Sequence, residues 1–362
     1  MLRKFPRAIK RVVVKVGSSV IATDTMKPRV GHLQSLVNQI TDMQKKDMEV
    51  VLVSSGAIVF GMGKLNLLKR PSELSAIQAL AAVGQTVLME KYNELFSHNQ
   101  AKCAQILLTW DDFDNRRRYN NVRNTIAALL GFGIVPIINE NDTISTDEIK
   151  FGDNDRLSAL VASLVEADLL VILSDVDGLY DLKSGDNKIF NEIKEITREI
   201  EGTASGTIKK EISKGGMSAK LEAIKIANHS KIPCIVANGE TENVLLRILN
   251  GEGIGTFFVE REEKLLARQH WISFGAKPKG SLTVDEGAKK ALLQGGRSLL
   301  LPGIVSWDGH FKVDDVVVVR DQAGHEIARG ISNYSTADFF KVTDKKGRLE
   351  VIHCDNLVLG EK

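Results

Sequence analysis

Two lysines in this sequence stand where they could bind phosphate. Lys15 lies near the end of the apolar segment VVVKVGSS, with Gly17 in the turn behind it, and Lys220 ends the segment SKGGMSAK. A lysine ammonium is a compact charge suited to phosphate, and glycine lets backbone N–H groups approach an anion closely. An ordinary turn with a solvated lysine explains the first segment equally well, and glycine pairs are usually just loops.

Small or polar residues follow two further apolar segments. VVLVSSGAI places Ser55 and Gly56 before an apparent helix, whose dipole would favour an anion, although helix capping by serine explains the motif too. SDVDGLY places Ser174 and Asp175 after the run LLVIL. These two residues could meet the ribose and base of a nucleotide, or form an acidic loop of the calcium-binding kind.

Two polar clusters favour a function over simple turn formation. INENDT contains Asn139 and Asp142, and GDND contains Asn154 and Asp155. Asn and Asp side chains are suited to holding the ammonium group of an amino acid, and an aspartate between lysines can hold their side chains in place. Turn chemistry is the alternative explanation.

The common nucleotide and metal motifs are missing. No GxxxxGK[ST] is present, which excludes a P-loop enzyme, and GEGIGT does not complete GxGxxG. The three cysteines lack CxxC spacing, which argues against a structural zinc site and a disulfide framework and fits a reducing compartment. We assign His270, Trp271 and Trp307 to packing rather than chemistry.

Short β-branched runs alternate with longer segments of helical period from Val12 to about Val259. The pattern predicts βαβ units and a mainly parallel sheet, whose ligands bind at the carboxyl ends of the strands. Helices are predicted over about 74–95 and over 121–130, the second ended by Gly131. The predicted strands cover residues 12–16, 50–53, 104–108, 134–138, 169–173 and 235–237.

The alternation of strand and helix patterns ends after Val259. A charged stretch and a loop-like stretch containing Pro278 come next, and short strands follow, among them DDVVVVRD and HEIARGIS joined by the turn-forming QAG. We therefore expect a catalytic domain over residues 1–262, a linker over 263–278 and a small β-rich domain over 279–362.

Composition is that of an ordinary globular protein, with 43% hydrophobic and 26% charged residues. The net charge of +2 produces no strong field toward nucleic acid or an anionic membrane. The first apolar run is cut by Lys15 and Gly17, too early for a signal peptide, and no run is long enough to span a membrane. We expect a cytoplasmic protein.

Taken in order, KVGSS, SSGAI, INEND, GDNDRLSALVA, SDVDGLY and GGMSAK closely resemble the glutamate 5-kinase family of the amino-acid kinase superfamily. The resemblance runs nearly end to end, and the pair INEND and GDND singles out this family among its relatives. It implies an α/β fold, an αβα sandwich with a mainly parallel sheet, followed by a small β-rich PUA domain. The tail segments GSLTVDEGAKKALLQGGRSLLLPGI and ARGISNYSTAD resemble that domain.

The resemblance implies a role for each matching residue. Lys15 and Lys220 would contact the ATP phosphates, with Asp155 orienting them as the third catalytic residue. The other ATP-binding positions would be Gly17, Ser174, Asp175, Lys214, Gly215, Gly216, Met217, Ser218 and Ala219. The substrate-binding positions would be Ser55, Gly56, Asn139, Asp142 and Asn154. The family commonly has Thr where this chain has Lys214, so the role of position 214 stays open.

The implied reaction is the phosphorylation of the side-chain carboxylate of L-glutamate by ATP with Mg²⁺, the first step of proline synthesis. A carboxylate is already ionised at neutral pH, so positioning and charge neutralisation must carry the catalysis without a general base. The family is often inhibited by proline. A separate glutamyl-phosphate reductase should take the product, and we expect a homo-oligomer, a dimer or a tetramer.

Two other functions stay open at this point. Sister kinases of the same fold act on aspartate, acetylglutamate, carbamate or a nucleoside monophosphate, but they are not known for a PUA-like tail or an INEND cluster. An RNA-binding protein would need a basic face on the PUA-like module. Residues 279–362 contain twelve Lys plus Arg and twelve Asp plus Glu, which argues against RNA as a partner.

Overall fold

The chain folds into two compact units in a computed structural model. The first unit consists of Met1–Asp112 and Arg116–Lys264, and the second of Phe113–Asn115 and Leu265–Lys362. The residues that the structure describes are 3–23, 27–144, 154–181, 188–205, 216–260, 267–341 and 349–360.

A large sheet forms the centre of the first unit. Its strands are β1 (Arg11–Val16), β2 (Glu49–Ser54), β3 (Lys102–Leu108), β4 (Ile134–Glu140), β5 (Leu169–Ser174), β6 (Glu192–Ile193), β7 (Cys234–Asn238) and β8 (Thr256–Phe258). Among the described residues the strand order is β3-β4-β2-β1-β5-β7-β8-β6. Neighbouring strands run parallel, except that β8 is antiparallel to β7. All six predicted strands are therefore confirmed.

Helices connect these strands. They are α1 (Ser18–Ile21), α2 (Val30–Gln44), α3 (Ala57–Lys64), α4 (Leu74–His98), α5 (Trp110–Asp114), α6 (Arg116–Gly131), α7 (Asn154–Leu164), α8 (Arg198–Ser205), α9 (Met217–Asn228) and α10 (Val244–Leu249). α6 ends at Gly131 as predicted, but the left-handed cap expected at Gly131 was wrong. Gly131 is still helical, and Gly133 takes the left-handed φ of +69°. Within the described residues, none of the helices is long and apolar enough to cross a membrane.

The pleat of β1 places its side chains on two different faces of the sheet. Val12, Val14 and Val16 are buried in a cluster with residues of α2 and α4. Successive strand residues point to opposite faces, so Lys15 lies on the other face, where α7 packs against β1. Helices therefore cover both faces, and the expected α/β sandwich is confirmed.

The second unit is rich in short strands. Its elements are α11 (Ala267–His270), a π-helical turn (Trp271–Gly275), β9 (Gly280–Val284), α12 (Glu286–Leu293), β10 (Leu299–Leu300), β11 (Ile304–Gly309), β12 (Val316–Arg320), β13 (Glu326–Ile331), α13 (Thr336–Lys341), β14 (Glu350–Ile352) and β15 (Leu357–Leu359). Among the described residues the larger sheet has the order β11-β9-β12-β13-β15. β12 and β13 form the predicted antiparallel hairpin, with Gly324 at φ +87° in its turn.

His353, Cys354 and Asp355 bring three side chains of metal-binding type together in the second unit. The ring nitrogen Nδ1 of His353 accepts a hydrogen bond from the backbone N–H of Asp355 at 3.2 Å and caps a short 3-10 turn. This hydrogen bond explains the position of the His353 ring as a turn cap. All three cysteines lie in described stretches and none forms a disulfide.

Candidate active site

The carboxyl edge of the large sheet collects the predicted site residues. Gly17 follows β1, Ser55 follows β2, Asn139 lies near the end of β4, and Ser174 ends β5. Because these strands run parallel, their carboxyl ends meet at one edge of the sheet. The structure thus brings residues that are distant in sequence into one region.

A buried carboxylate joins two lysines at this edge. Lys220 Nζ lies 3.1 Å from Asp155 Oδ2, and Lys15 Nζ forms an ion pair with Asp155 Oδ1. The Asp155 side chain has no exposed surface, and the lysine side chains are only 5% and 8% exposed. Two cationic groups are therefore held side by side by one anion.

Local structure explains why these three residues meet. Asp155 lies in the first turn of α7, where the helix dipole favours a carboxylate. Lys220 lies in the first turn of α9, where the same dipole disfavours a cation, and α9 packs against α7. Asp155 thus stabilises the charge of Lys220, which the dipole of α9 disfavours.

A second cluster, of amides and hydroxyls, begins at the neighbouring residue. Asn154 Nδ2 donates to Asn139 Oδ1 at 2.8 Å, to the backbone carbonyl of Ser54 at 2.9 Å and to Ser55 Oγ at 3.2 Å. Asn154 and Asn139 are both buried. Three of the predicted substrate positions, Ser55, Asn139 and Asn154, are therefore in direct contact.

The turn after β2 needs its glycine. Gly56 has φ +99°, in the left-handed region that L side chains rarely adopt, and it precedes α3. A Cβ atom at this position would also come within 2.9 Å of Ile21 Cδ1. The turn after β2 therefore needs glycine at position 56.

Two residues of α4 support the cluster, and the sequence prediction missed both. Gln85 Oε1 accepts a hydrogen bond from Asn139 Nδ2 at 2.8 Å, and the Tyr92 hydroxyl lies 2.9 Å from Ser54 Oγ. Burial raises the pKa of Tyr92, so its hydroxyl stays neutral. The spacing of seven residues predicts only that both lie on one face of a helix; no sequence signal indicates their partners.

Asp142 lies just beyond β4 and is half-buried. Burial raises the pKa of its carboxyl group to about 6, against a smaller opposing effect of the Arg70 charge. A carboxylate in such a place gains from a cationic partner, because a nearby positive charge favours the ionised form. An ammonium group of a substrate would be such a partner.

The predicted nucleotide residues lie at β5 and at the start of α9. Ser174 is buried, and its hydroxyl donates to Asp175 Oδ1 at 3.2 Å, while Asp175 is exposed. Gly216 precedes α9, whose first residues are Met217, Ser218 and Ala219. No side-chain hydrogen bond caps α9 among the described residues, so its N-terminal backbone N–H groups could meet phosphate. Lys214 and Gly215 lie outside the described residues.

Known proteins show the same organisation along the whole chain. The amino acid kinase family model matches residues 10–238, and the PUA domain model matches residues 280–354. The glutamate 5-kinase of Caldanaerobacter subterraneus subsp. tengcongensis is 46% identical over 366 residues, covering 97% of this chain and 98% of the relative. The chain belongs to the glutamate 5-kinase family. The glutamate 5-kinase of Carboxydothermus hydrogenoformans is 43% identical and covers 99% of this chain and 100% of the relative.

A solved structure has a similar fold over most of the chain. Carbamate kinase from Giardia lamblia bound to AMP-PNP covers 70% of this chain and 99% of its own, with a TM-score of 0.51 and 17% identity. At that identity the likeness concerns the fold alone. It agrees with the expected amino-acid kinase fold.

Proposed function

We propose that the protein transfers the γ-phosphoryl group of ATP to the side-chain carboxylate of L-glutamate and forms L-glutamyl 5-phosphate. The observation that carries the proposal is the adjacency of Asn154 and Asp155 at the start of α7. Asp155 holds the two lysines, and Asn154 holds the amide and hydroxyl cluster. One helix start thus links a phosphate-binding half of the site to an acceptor-binding half.

The transfer needs no proton movement. An ionised carboxylate oxygen of glutamate attacks the γ-phosphorus, the new O–P bond forms, and the bond to the bridging oxygen breaks so that ADP leaves with its electron pair. The barrier comes chiefly from negative charge on the phosphoryl oxygens, and fixed cations lower it. Lys15 and Lys220, held in place by Asp155, are the cations in position to do so.

Magnesium fits the proposal as an ion carried by the nucleotide. Both oxygens of Asp155 face lysines, so this carboxylate is not arranged as a metal ligand. Mg²⁺ commonly binds through substrate phosphates and keeps several waters. When bound in that way, it supplies further neutralisation of the phosphate charge.

The product and the relatives also suggest partners, an oligomeric state and a location for the protein. An acyl phosphate is reactive toward water and nucleophiles, so a separate reductase that consumes it would fit the first step of proline synthesis. The family resemblance adds proline as a feedback inhibitor and a homo-oligomeric state. These partners and a cytoplasmic location are proposals that rest on family membership.

The reaction is tested by trapping its product. Purified protein is incubated with Mg-ATP, hydroxylamine and either L-glutamate, L-aspartate, N-acetylglutamate or no acceptor, and the hydroxamate is quantified. Hydroxamate formed with glutamate alone is expected. Preference for another acceptor would move the chain to a sister kinase activity, and the absence of hydroxamate with every acceptor would contradict the proposed transfer.

A further inference from the structure

Four amide side chains form a continuous series of hydrogen bonds that ends at the acceptor half of the site. Gln85 Nε2 donates to Gln105 Oε1, Asn139 Nδ2 donates to Gln85 Oε1, and Asn154 Nδ2 donates to Asn139 Oδ1, each at 2.8 Å. This series, Gln105, Gln85, Asn139 and Asn154, is called the amide relay below. Every bond in the relay runs from an amide nitrogen to an amide oxygen, so the relay has one direction.

A backbone group fixes the orientation of Asn139 within the relay. The N–H of Glu140 donates to Asn139 Oδ1 at 2.9 Å, and a backbone N–H can only donate. The oxygen of Asn139 must therefore face Glu140 and Asn154, and its nitrogen must face Gln85. The nitrogen of Asn139 donates to Gln85 Oε1, and this hydrogen bond is partly buried.

The partners of Asn154 Nδ2 decide which atom of Asn154 is left for a ligand. Its nitrogen is used by three acceptors. No donor is hydrogen-bonded to Asn154 Oδ1 from the part of the chain that the structure describes. A planar amide whose nitrogen is held in this way presents its oxygen, an acceptor, to whatever binds beside it.

We propose that Gln85 is a positioning residue that holds Asn139, and through it the amide relay, in place, so that Asn154 offers an oxygen to the α-ammonium group of the amino-acid substrate. The inference rests on the proposed function and names the group that the acceptor site selects. An ammonium carries three donors and no acceptor, so it matches an amide oxygen and the carboxylate of Asp142. A flipped Asn154 would present its NH₂ group, which repels an ammonium.

The packing of α4 keeps Gln85 in place. Gly84 is so close to α3 that a Cβ atom there would lie 1.7 Å from the carbonyl oxygen of Ala57. Tyr92, two turns along the same face, is fully buried and bonded to Ser54. Because both contacts fix the helix, Gln85 cannot withdraw from Asn139 without a change in the packing of α4.

Steady-state kinetics of four full-length proteins test the role of Gln85. Gln85→Met keeps the length of the side chain but removes the acceptor, and it should raise the KM for glutamate roughly three- to tenfold, the value of one hydrogen bond. Gln85→Glu keeps an acceptor for Asn139, and exposed Gln105 can turn its NH₂ group toward the new carboxylate, so we expect most of the affinity to return. The matched control is Gln34→Met, which removes an amide–amide hydrogen bond of 2.8 Å on α2.

The readouts separate positioning from a general loss of structure. In Gln85→Met the KM for ATP and the melting temperature should stay close to those of the wild type, as in the Gln34→Met control. An unchanged KM for glutamate in Gln85→Met, or equal increases in both KM values, would overturn the inference. So would a Gln85→Glu protein no better than Gln85→Met.

The wild-type protein separates the inference from the proposed function. If the wild type prefers another amino acid with a free ammonium group, the proposed substrate is wrong, and the same series is measured with that amino acid. If it prefers N-acetylglutamate, or uses no acceptor, the inference fails together with the substrate. If it uses glutamate and only the variants behave otherwise, the inference alone is wrong.

Discussion

Lys220 Nζ and Asp155 Oδ2 lie 3.1 Å apart in an ion pair that is almost wholly buried, between the first turns of α9 and α7. Lys15 holds the other oxygen of the same carboxylate. Two ammonium groups held side by side can both contact an anion that binds there. The triphosphate of ATP is such an anion.

Loss of Lys220 should affect turnover much more than folding. Replacing Lys220 by Ala removes one of two cations at the phosphate position, and we expect kcat to fall about 100-fold or more, as for loss of a transition-state donor. The control is Lys225→Ala on the same helix, since Lys225 pairs with Glu201 instead. Hydroxamate formation and circular dichroism measure the two effects. Near-normal turnover of Lys220→Ala would remove Lys220 from its proposed role.

Neutralising the shared carboxylate should expose the repulsion between the lysines. Asp155→Asn keeps the shape of the side chain but removes the buried carboxylate that both ammonium groups pair with, which costs roughly 3 kcal/mol of unfolding free energy. Urea unfolding measures this loss. Mg-ATP should raise the melting temperature of Asp155→Asn by more than it raises that of the wild type. An equal shift in both proteins would show that the phosphates do not bind at the lysines.

Acid should weaken glutamate binding through Asp142. The pKa of about 6 lies above the ordinary range of an aspartate, so in the free protein the carboxyl group becomes protonated as pH falls through about 6. If the ionised form holds the ammonium group, kcat/KM for glutamate should fall about tenfold per pH unit below that value, while kcat changes little. Asp142→Asn should lower kcat/KM and abolish this inflection. An inflection that persists in the variant would assign it to another group.

The same shift has a consequence for stability. A carboxyl group whose pKa is raised by folding binds its proton more tightly in the folded protein than in the unfolded chain. Its contribution to stability is therefore greatest at low pH and is lost as pH rises toward about 6. Between pH 4 and pH 6, Asp142→Asn should thus show a flatter stability profile than the wild type in urea unfolding.

Close packing of α3 on α4 depends on Gly84. A Cβ atom at Gly84 would lie 1.7 Å from the carbonyl oxygen of Ala57 and 2.3 Å from the nitrogen of Gly61, so the helices must separate in Gly84→Ala. We expect a loss of about 1–3 kcal/mol in unfolding free energy, the usual cost of overpacking. Gly31→Ala is the control, because nothing lies within 4 Å of a Cβ there. The alanine at position 31 should leave the free energy of unfolding unchanged or raise it by up to about 1 kcal/mol, since alanine favours the helix. Equal effects of the two substitutions in urea unfolding would contradict this explanation.

Much of the first unit could be predicted because its signals are local. Apolar β-branched runs indicate buried parallel strands, and their alternation with helical segments indicates their common direction. The ends of those strands then indicate where Lys15, Ser55, Asn139 and Ser174 lie. The helix does end at Gly131, but the left-handed cap expected there was wrong, because only backbone geometry shows that Gly133 takes that conformation.

Local signals in the chain were enough to predict the strands, the β12–β13 hairpin and the set of residues that resembles the glutamate 5-kinase family. Which residues those side chains contact was decided by the tertiary structure. In the sequence alone, Gln85 and Tyr92 are ordinary residues of an amphipathic helix, and Gly84 is a neutral glycine. Their roles become visible only when α4 is packed beside β2, β4 and α3. Hydrogen bonds between distant residues follow from the order and spacing of strands and helices, and no local pattern in a sequence carries that information.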